Sequence, residues 1–294
     1  MYGQNYPSRQ GFGQRAFPAA NRSASPFRKF RFIIGLLMAG FALLSYFGSS
    51  VYNPVTGEKQ HVNISAEQEI ALGLQAAPEM AQQYGGLHPD RQARSLVSQV
   101  GQRIVSRGAA SQTPYQYEFH LLADEQTINA FALPGGQIFI TAGLFRRLQT
   151  EGQLAGVLGH EVGHVVARHG AQRIAQQQLT QGLTGALVLS TYDPENPNSQ
   201  QTAYIAMMVG QLVNMKYGRD DELQSDALGV RFISEAGYDP RALIGVMEIL
   251  AEAGGGARQP EFFSTHPNPE NRVARINEAI EQQFPGGVPA GLQP

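Results

Sequence analysis

Residues 158–170 read LGHEVGHVVARHG and place His160, Glu161 and His164 in an HExxH arrangement. On an α-helix, residues four apart lie on one face, so both imidazoles can reach one metal ion. Zinc accepts nitrogen and carboxylate ligands, and its catalytic sites combine three protein ligands with a water. Glu161 lies about 100° round the helix from His160, where a carboxylate can act on that water. The segment therefore predicts a zinc site with two histidine ligands and Glu161 as general base.

The residues around this motif make the predicted helix apolar on nearly every side. A helix of that kind is buried, and buried imidazole or carboxylate groups are costly unless they have partners. A metal ion supplies those partners. The alternative is that both histidines are hydrogen-bonded core residues and that Glu161 is paired. The apolar positions are Leu154, Val157, Leu158, Val162, Val165 and Val166.

A third ligand must come from outside the motif. The metzincin pattern would require glycine and histidine at the positions that Ala167 and Gly170 occupy, so that pattern is excluded. His169 lies nine residues after His160. On a continuous helix it would point roughly 140° away, which favours a structural or surface role. A carboxylate from elsewhere in the chain is therefore expected.

The acidic cluster at 220–222 opens a predicted helix and offers that carboxylate. Glu222 is the predicted third zinc ligand. Asp226, one turn further on the same side, is predicted to accept the free N–H of a ligating histidine and so to fix its tautomer. The alternative is that these acids only favour a helix N-terminus electrostatically, which fits Asp220 and Asp221.

Four segments of the chain resemble the M48 family of metallopeptidases. The resemblance extends over about residues 53–280. It implies a gluzincin fold, zinc held by the three predicted ligands, and Glu161 as general base. Ser225 stands where the family pattern usually has alanine. The four segments are 129–145 (NAFALPGGQIFITAGLF), 158–170, 219–229 (RDDELQSDALG) and 263–276 (FSTHPNPENRVARI).

The resemblance also implies a function. The family includes bacterial membrane-associated quality-control proteases and CAAX-processing enzymes, and the latter cross the membrane several times. One candidate segment here favours a bacterial, single-pass inner-membrane member with its catalytic domain in the periplasm. We expect a zinc-dependent endopeptidase of envelope protein quality control, in which Glu161 activates a zinc-bound water. The alternatives are a catalytically silent chaperone or adaptor and a structural zinc protein; the presence of Glu161 and the absence of cysteine weigh against them.

A peptidase must hold its substrate extended, and an exposed edge strand does this through backbone hydrogen bonds. We predict that role for the strand at 137–141 (QIFIT), because the preceding glycines let a second backbone approach closely. The corresponding strand of the resembling family borders the cleft. The alternative is an ordinary strand after a tight turn. The predicted substrate-binding residues are Gly135, Gly136, Gln137, Ile138 and Phe139.

Two residues of the HPNPENR stretch are further candidates, because the charge of a tetrahedral intermediate calls for a second donor besides the metal. His266 is predicted either to donate to the oxyanion or to cap zinc at rest and then move aside. Arg272 is predicted either to grip the substrate backbone or to anchor this loop.

The N-terminal part predicts membrane attachment. Residues 1–31 hold six basic side chains and no acid, so in a chain of net charge −2 the remainder carries −8. Residues 32–52 are uncharged and meet the length needed to span a bilayer. The basic flank places the tail in the cytoplasm and the body outside it. A cleaved signal peptide is the alternative. The acidic body argues against a nucleic-acid partner.

The patterns and the resemblance together predict an α+β fold. We expect a mostly helical, gluzincin-like zincin domain with a small mixed β-sheet, preceded by one transmembrane helix. Helical periodicity continues from Ala142 to about Leu183, and another helix is expected over 200–216. Protein or peptide substrates and a membrane are the expected partners, and oligomerisation stays open. The predicted organisation is a disordered basic tail (1–31), a transmembrane anchor (32–52), a linker (53–64), a zinc metallopeptidase domain (65–284) and a flexible C-terminus (285–294).

Overall fold

The computed structural model describes residues 26–191, 218–255, 260–267 and 271–294. This part of the chain is mostly helical with two small sheets, so the predicted α+β class is confirmed. Residues 1–25 of the predicted tail and the helix expected over 200–216 lie outside the described residues. The helices are α1 (Pro26–Gly48), α2 (Ala66–Gln83), α3 (Arg91–Arg107), α4 (Ala142–Phe145), α5 (Glu151–Val166), α6 (His169–Thr191), α7 (Gly218–Glu235), α8 (Ala242–Gly254), α9 (Phe262–Thr265) and α10 (Arg272–Gln283). The strands are β1 (Ser50–Asn53), β2 (Glu58–His61), β3 (Glu118–Leu122), β4 (Ala130–Ala132) and β5 (Gln137–Thr141).

Helix α5 carries the HExxH motif through the centre of the domain. Its first turn is capped by Thr150, whose hydroxyl accepts from the backbone N–H of Gln153. Nearly all of its side chains are buried, and it packs against α3, α7 and α8. The helix ends at Val166 because Arg168 adopts a left-handed conformation with φ of 57°. The single long helix predicted from Ala142 is therefore wrong; the structure divides that stretch into α4, α5 and α6.

The three-stranded sheet has the order β3-β5-β4. Strand β5 pairs in parallel with β3 and antiparallel with β4. The predicted exposed edge strand at 137–141 is therefore wrong, because both of its edges are paired and all five residues are buried. Tertiary pairing, which local sequence does not encode, puts β4 at the edge beside α5.

The glycine turn before β5 packs against the protein itself rather than facing a cleft. Gly135 has φ of 86°, and a Cβ atom there would lie 2.4 Å from Cα of Ile70 in α2. Gly136 has φ of 108° and faces the backbone of Gln116. The close backbone approach expected at these glycines does occur, but the approaching backbone belongs to this chain. The predicted substrate role of this turn is therefore not supported.

Residues 53–64, predicted as a linker, contain most of the β1–β2 hairpin. The hairpin packs on the C-terminal end of α5: Asn53 donates to the carbonyl of Val166 at 2.7 Å and Gln60 donates to that of Ala167 at 2.8 Å. Helix α1 therefore ends at Gly48 rather than near residue 52, because the chain must turn into β1. The segment Lys29–Gly48 is long and apolar enough to cross a membrane.

The end of the chain is also tied to the domain, contrary to the predicted flexible C-terminus. Gln293 pairs its backbone with Gly237 and Asp239. The carbonyl of Pro294 accepts from Gly152 in the first turn of α5. At the start of α2, Ser65 and Gln68 form a capping box.

Candidate metal centre

Two imidazoles and one carboxylate converge in the interior between α5 and α7. Nε2 of His160 lies 3.1 Å from Nε2 of His164. The carboxylate oxygens of Glu222 lie 3.3 Å from the first nitrogen and 3.4 Å from the second. Ligand atoms at the corners of a tetrahedron around zinc are about 3.3 Å apart, given bonds of about 2.0 Å. The three groups predicted from sequence as ligands therefore have the separations expected of ligand atoms that bind one zinc ion.

An ionic network surrounds His160. With Nε2 turned to the metal position, Nδ1 carries the proton and donates to Oδ1 of Asp226 at 2.8 Å. The guanidinium of Arg272 donates to the same carboxylate at 2.6 and 2.9 Å. Burial opposes the charged imidazole, but hydrogen bonds to Asp226 and Glu222 outweigh it and raise the pKa of His160 to about 9. Asp226 thus lies where the sequence predicted it.

On the side away from Glu222, the hydrogen-bond partners of His164 are neutral. Its Nδ1 lies 2.9 Å from Nδ1 of His169, whose Nε2 lies 2.8 Å from Oε1 of Gln224. The amide of Gln224 in turn donates to Glu58 in the hairpin at 2.6 Å. Burial lowers the pKa of His164 well below its ordinary value, so the neutral form that binds a metal is favoured. These contacts form a chain of hydrogen bonds from His164, a predicted ligand, to Glu58 in β2.

Sequence reasoning missed the contact between His169 and His164. The expected angle of 140° assumed a helix that continues past Val166, whereas the left-handed Arg168 turns the chain there. His169 consequently begins α6 with its side chain 2% exposed and directed at His164. The sequence did offer one sign of this contact, namely a histidine only five residues after the predicted ligand His164.

Glu161 supplies the test of whether a metal fits this site. The carboxylate is fully buried, and within the described part of the chain neither oxygen has a hydrogen-bond partner. Burial raises its pKa. Oε2 of Glu222 is likewise buried without a hydrogen bond. Only longer contacts remain: Oε1 of Glu161 lies 3.5 Å from Nε2 of His266, and Oε2 of Glu222 lies 3.4 Å from a terminal nitrogen of Arg272. Carboxylate oxygens without hydrogen bonds are costly in a protein interior, and a cation with its water would satisfy both groups. The donor set of imidazole nitrogens and carboxylate suits zinc.

His266 joins this cluster as a fourth member. Its Nδ1 lies 3.1 Å from Oε1 of Glu222 and 3.4 Å from Nε2 of His160. Its Nε2 lies 3.1 Å from the carbonyl oxygen of Ala130 in β4. One ligand atom from each of His160, His164, Glu222 and His266 lies within 4.8 Å of the others. His266 therefore faces the position that a catalytic metal site keeps for water.

Arg272 lies beside the metal cluster but not in a substrate cleft. Its side chain is 1% exposed, and the carboxylate of Asp226 occupies its Nε and one terminal nitrogen. Burial opposes its charge, but the neighbouring carboxylate of Asp226 raises its pKa. Of the two predicted roles, the geometry agrees with anchoring the segment that begins α10. The predicted grip on a substrate backbone is wrong, because the guanidinium is not accessible.

Comparisons with known proteins agree with this site. The model of peptidase family M48 matches residues 90–280. The chain is 28% identical over 267 residues to the beta-barrel assembly-enhancing protease of Escherichia coli (strain K12), covering 86% of this chain and 52% of that protein. It is 30% identical over 258 residues to the mitochondrial metalloendopeptidase OMA1 of Schizosaccharomyces pombe, covering 87% of this chain and 73% of that protein. The chain spans about half the length of the bacterial relative.

The family match contains every member of the metal cluster. It begins before α3 and ends within α10, so it covers the central helix, the sheet and the helix that carries Glu222. The spacing of the cluster and the family match are independent observations that point to the same chemistry. The chain belongs to peptidase family M48.

Proposed function

We propose that this protein is a membrane-anchored, zinc-dependent endopeptidase that acts in envelope protein quality control. One observation carries the catalytic part of the proposal. A buried carboxylate without a hydrogen bond, Glu161, lies next to three groups spaced as zinc ligands: His160, His164 and Glu222. A structural site has no use for such a carboxylate, whereas a hydrolase requires one.

Zinc, when bound, supplies a Lewis acid that polarises the scissile carbonyl and lowers the pKa of water. The protein's own residues do the remaining work. Glu161 takes a proton from the attacking water and passes it to the leaving amine. Asp226 holds the proton on Nδ1 of His160 and thereby turns Nε2 towards the metal. Arg272 holds Asp226 in place through two hydrogen bonds.

The substrate strand of this proposal is β4, the edge strand next to α5. Its outward carbonyls belong to alternate residues, as they do in any antiparallel edge. A substrate backbone N–H can donate to these carbonyls and so hold the peptide extended across the cluster. This strand replaces the one predicted from sequence, and it supports the same mode of binding.

In the structure, α9 occupies part of this edge. The backbone N–H of Phe262 donates to the carbonyl of Ile128 at 3.1 Å, and His266 contacts the carbonyl of Ala130. We assign His266 the capping role. At rest it faces the fourth ligand position and also contacts the carbonyl of Ala130, which a substrate N–H would otherwise bind. When the His266 side chain moves away, both the ligand position and the carbonyl become accessible. The oxyanion role receives less support, since Nδ1 of His266 lies among the ligand atoms.

The proposed cellular location rests on α1 and on the charges that flank it. We propose a bacterial inner-membrane protein whose basic N-terminal tail is cytoplasmic and whose catalytic domain is periplasmic. The segment Lys29–Gly48 supports membrane insertion, because it is apolar and little of it is buried in the protein. One relative is named a beta-barrel assembly-enhancing protease, which supports a role in the quality control of protein assembly. Substrates are then misfolded envelope or membrane proteins.

The test compares casein or peptide cleavage by the wild type and by Glu161→Gln, with zinc content measured in both. We expect the variant to retain zinc and lose about 10²- to 10⁴-fold in activity, the usual contribution of a general base. Glu278→Gln, an exposed carboxylate in α10, is the matched control and should remain active. Two zinc-loaded proteins that are equally inactive would favour the chaperone or adaptor alternative; equal activity would exclude Glu161 as the base.

The same assay on His266→Ala separates the two roles of that residue. A cap predicts equal or higher activity, because the fourth position is opened permanently. An oxyanion donor predicts a loss of about 10²- to 10³-fold, as for other donors of that kind. Such a loss with normal zinc content would overturn the capping assignment.

A further inference from the structure

The C-terminal half of α6 packs along α1. The two helices run antiparallel, since Gly182 lies opposite Ala42 and Gly185 lies opposite Met38. A Cβ atom at Gly182 would lie 2.8 Å from Cβ of Ala42, so the backbones approach more closely than larger side chains allow. Close packing through small residues is common between helices inside membranes, where lipid gives no hydrophobic drive for association.

The position of α6 along α1 fixes its depth. The apolar span of α1 runs over Lys29–Gly48, and Met38 lies at its middle. A Cβ atom at Gly185 would lie 3.8 Å from Cε of Met38, which is ordinary van der Waals contact. If α1 spans a bilayer, the part of α6 that touches Met38 must therefore lie at the bilayer midplane.

The polarity of α6 changes along its length in the same direction. Between 174 and 191 the sequence has no charged residue. The glutamines at 176–178 come first, and Gln178 lies level with Tyr46 near the end of the α1 span, where it accepts from Asn63 at 3.0 Å. Polar residues continue to position 184, but 185–189 reads GALVL. The five residues level with the middle of α1 are therefore apolar or small, as the centre of a bilayer requires, and the glutamines lie nearer its surface.

The backbone of α6 meets the second requirement of a lipid environment, because its polar groups are paired within a helix. Among the described helices, α1 is the one that is long and apolar enough to cross a membrane alone. Helix α6 is less apolar and therefore depends on α1 as its partner at depth. The two observations together describe a helix pair, not two independent spans.

We propose that α6 enters the bilayer beside α1 and reaches the midplane at Gly185, so that lipid acyl chains surround a two-helix unit rather than a single anchor. This proposal rests on the proposed insertion of α1. It brings the metal centre to the membrane surface, because α6 begins at His169, which contacts His164.

The absence of tryptophan from the chain makes the test direct. Three single-Trp variants of the full-length protein are reconstituted into vesicles of phosphatidylcholine brominated in mid-chain. Leu187→Trp reports on α6, two residues beyond Gly185, at a side chain 44% exposed. Leu37→Trp is the control at matched depth in α1, 67% exposed, and Leu74→Trp is the control in α2 of the catalytic domain, 52% exposed. Peptide cleavage by each variant verifies that it is folded.

We expect Leu187→Trp to lose a fraction of its fluorescence comparable to that lost by Leu37→Trp, with Leu74→Trp unaffected. Quenching of Leu37→Trp without quenching of Leu187→Trp would overturn the proposal and leave the α1 anchor intact. If neither is quenched, both the anchor and the two-helix unit fail. Gln181→Trp, at an exposed polar position of α6, repeats the measurement at shallower depth if the variant at 187 does not fold.

Discussion

His160 and His164 lie one turn apart on the same helix and face the same metal position, yet their partners differ in charge. The first donates to a carboxylate that an arginine also holds. The second contacts another imidazole, which is held by a glutamine amide. One ligand is therefore oriented by a buried ion pair and the other by neutral hydrogen bonds. Both arrangements fix a tautomer and a ring orientation.

The difference teaches how a buried site with several acids controls its charge. The ionic side supplies one negative and one positive group that compensate each other, so that only their geometry acts on His160. On the other side the hydrogen-bond partners are neutral, and the carboxylate of Asp221 stays 3.8 Å from Nε2 of His169. No hydrogen-bonded charge is thus added to a site where burying the oxygens of Glu161 without hydrogen bonds already costs free energy. A second acid at His169 would add to that cost. We therefore expect the two sides to contribute unequally to stability and metal affinity.

The largest effect should follow from Asp226→Asn. The substitution removes the carboxylate that binds two nitrogens of Arg272, so that of its two neighbouring acids only Glu222, at 3.4 Å, remains, and it places an amide N–H against one of its donors. We expect a loss of about 3–5 kcal/mol in stability, typical of a broken buried ion pair. We also expect zinc affinity to fall about 10- to 100-fold, as for other residues that orient ligands. Chemical unfolding and competition with a chelator measure the two quantities.

The matched control for that variant is Asp239→Asn. Asp239 also forms an ion pair with an arginine, Arg241, but this arginine is exposed and far from the metal cluster. We expect a loss below about 1 kcal/mol there, as for surface ion pairs. Equal effects of the two substitutions would mean that burial does not distinguish them.

A smaller effect is expected for His169→Gln on the neutral side. A single neutral hydrogen bond contributes about 0.5–1.5 kcal/mol, so zinc affinity should fall about 2- to 10-fold. Chelator competition measures this loss. His120→Gln is the control, since that imidazole also contacts a glutamine amide, Gln137, but lies in the sheet. A loss as large as that of Asp226→Asn would remove the asymmetry between the ligands.

The smallest effect is expected for Ser225→Ala, at the position where the resembling family usually has alanine. The hydroxyl lies 3.4 Å from Nδ1 of His169, near the limit of a hydrogen bond. Its removal leaves His169 in contact with His164 and Gln224, so no buried group loses its only partner. We expect less than about a twofold change in zinc affinity. A tenfold loss in the chelator titration would show that the serine orients His169.

The parts of the site that lie within single helices could be predicted from sequence. The α-helical period alone places His160 and His164 together, and it places Asp226 one turn beyond Glu222. The buried character of α5 follows from its apolar residues. What links these helices was inferred from chemical need, since a third ligand had to exist. The resemblance to M48 sequences added the expected fold.

The rest depended on tertiary contacts that local sequence does not encode. The motif QIFIT has the composition of a strand, but its place between β3 and β4 is set by partners elsewhere in the chain. Gly135 signals close approach without naming Ile70 as the neighbour. His169 was misplaced because one residue, Arg168, leaves the helical conformation. The hydrophobic periodicity of the sequence does not indicate that a helix is interrupted at a single residue.

The hairpin at the end of α5 determines how much of the N-terminal part can be removed from the protein without exposing that helix. Sequence organisation would recommend cutting at Ser65, immediately before α2. Such a cut removes Asn53 and Gln60, and with them the donors that satisfy the carbonyls of Val166 and Ala167. The helix that carries the motif would then expose its last turn to solvent. A truncation that removes α1 should therefore keep the hairpin, and with it Ser49, whose carbonyl accepts from the backbone N–H of Val62 at 3.1 Å. On the two-helix proposal, such a protein still carries the membrane-facing half of α6.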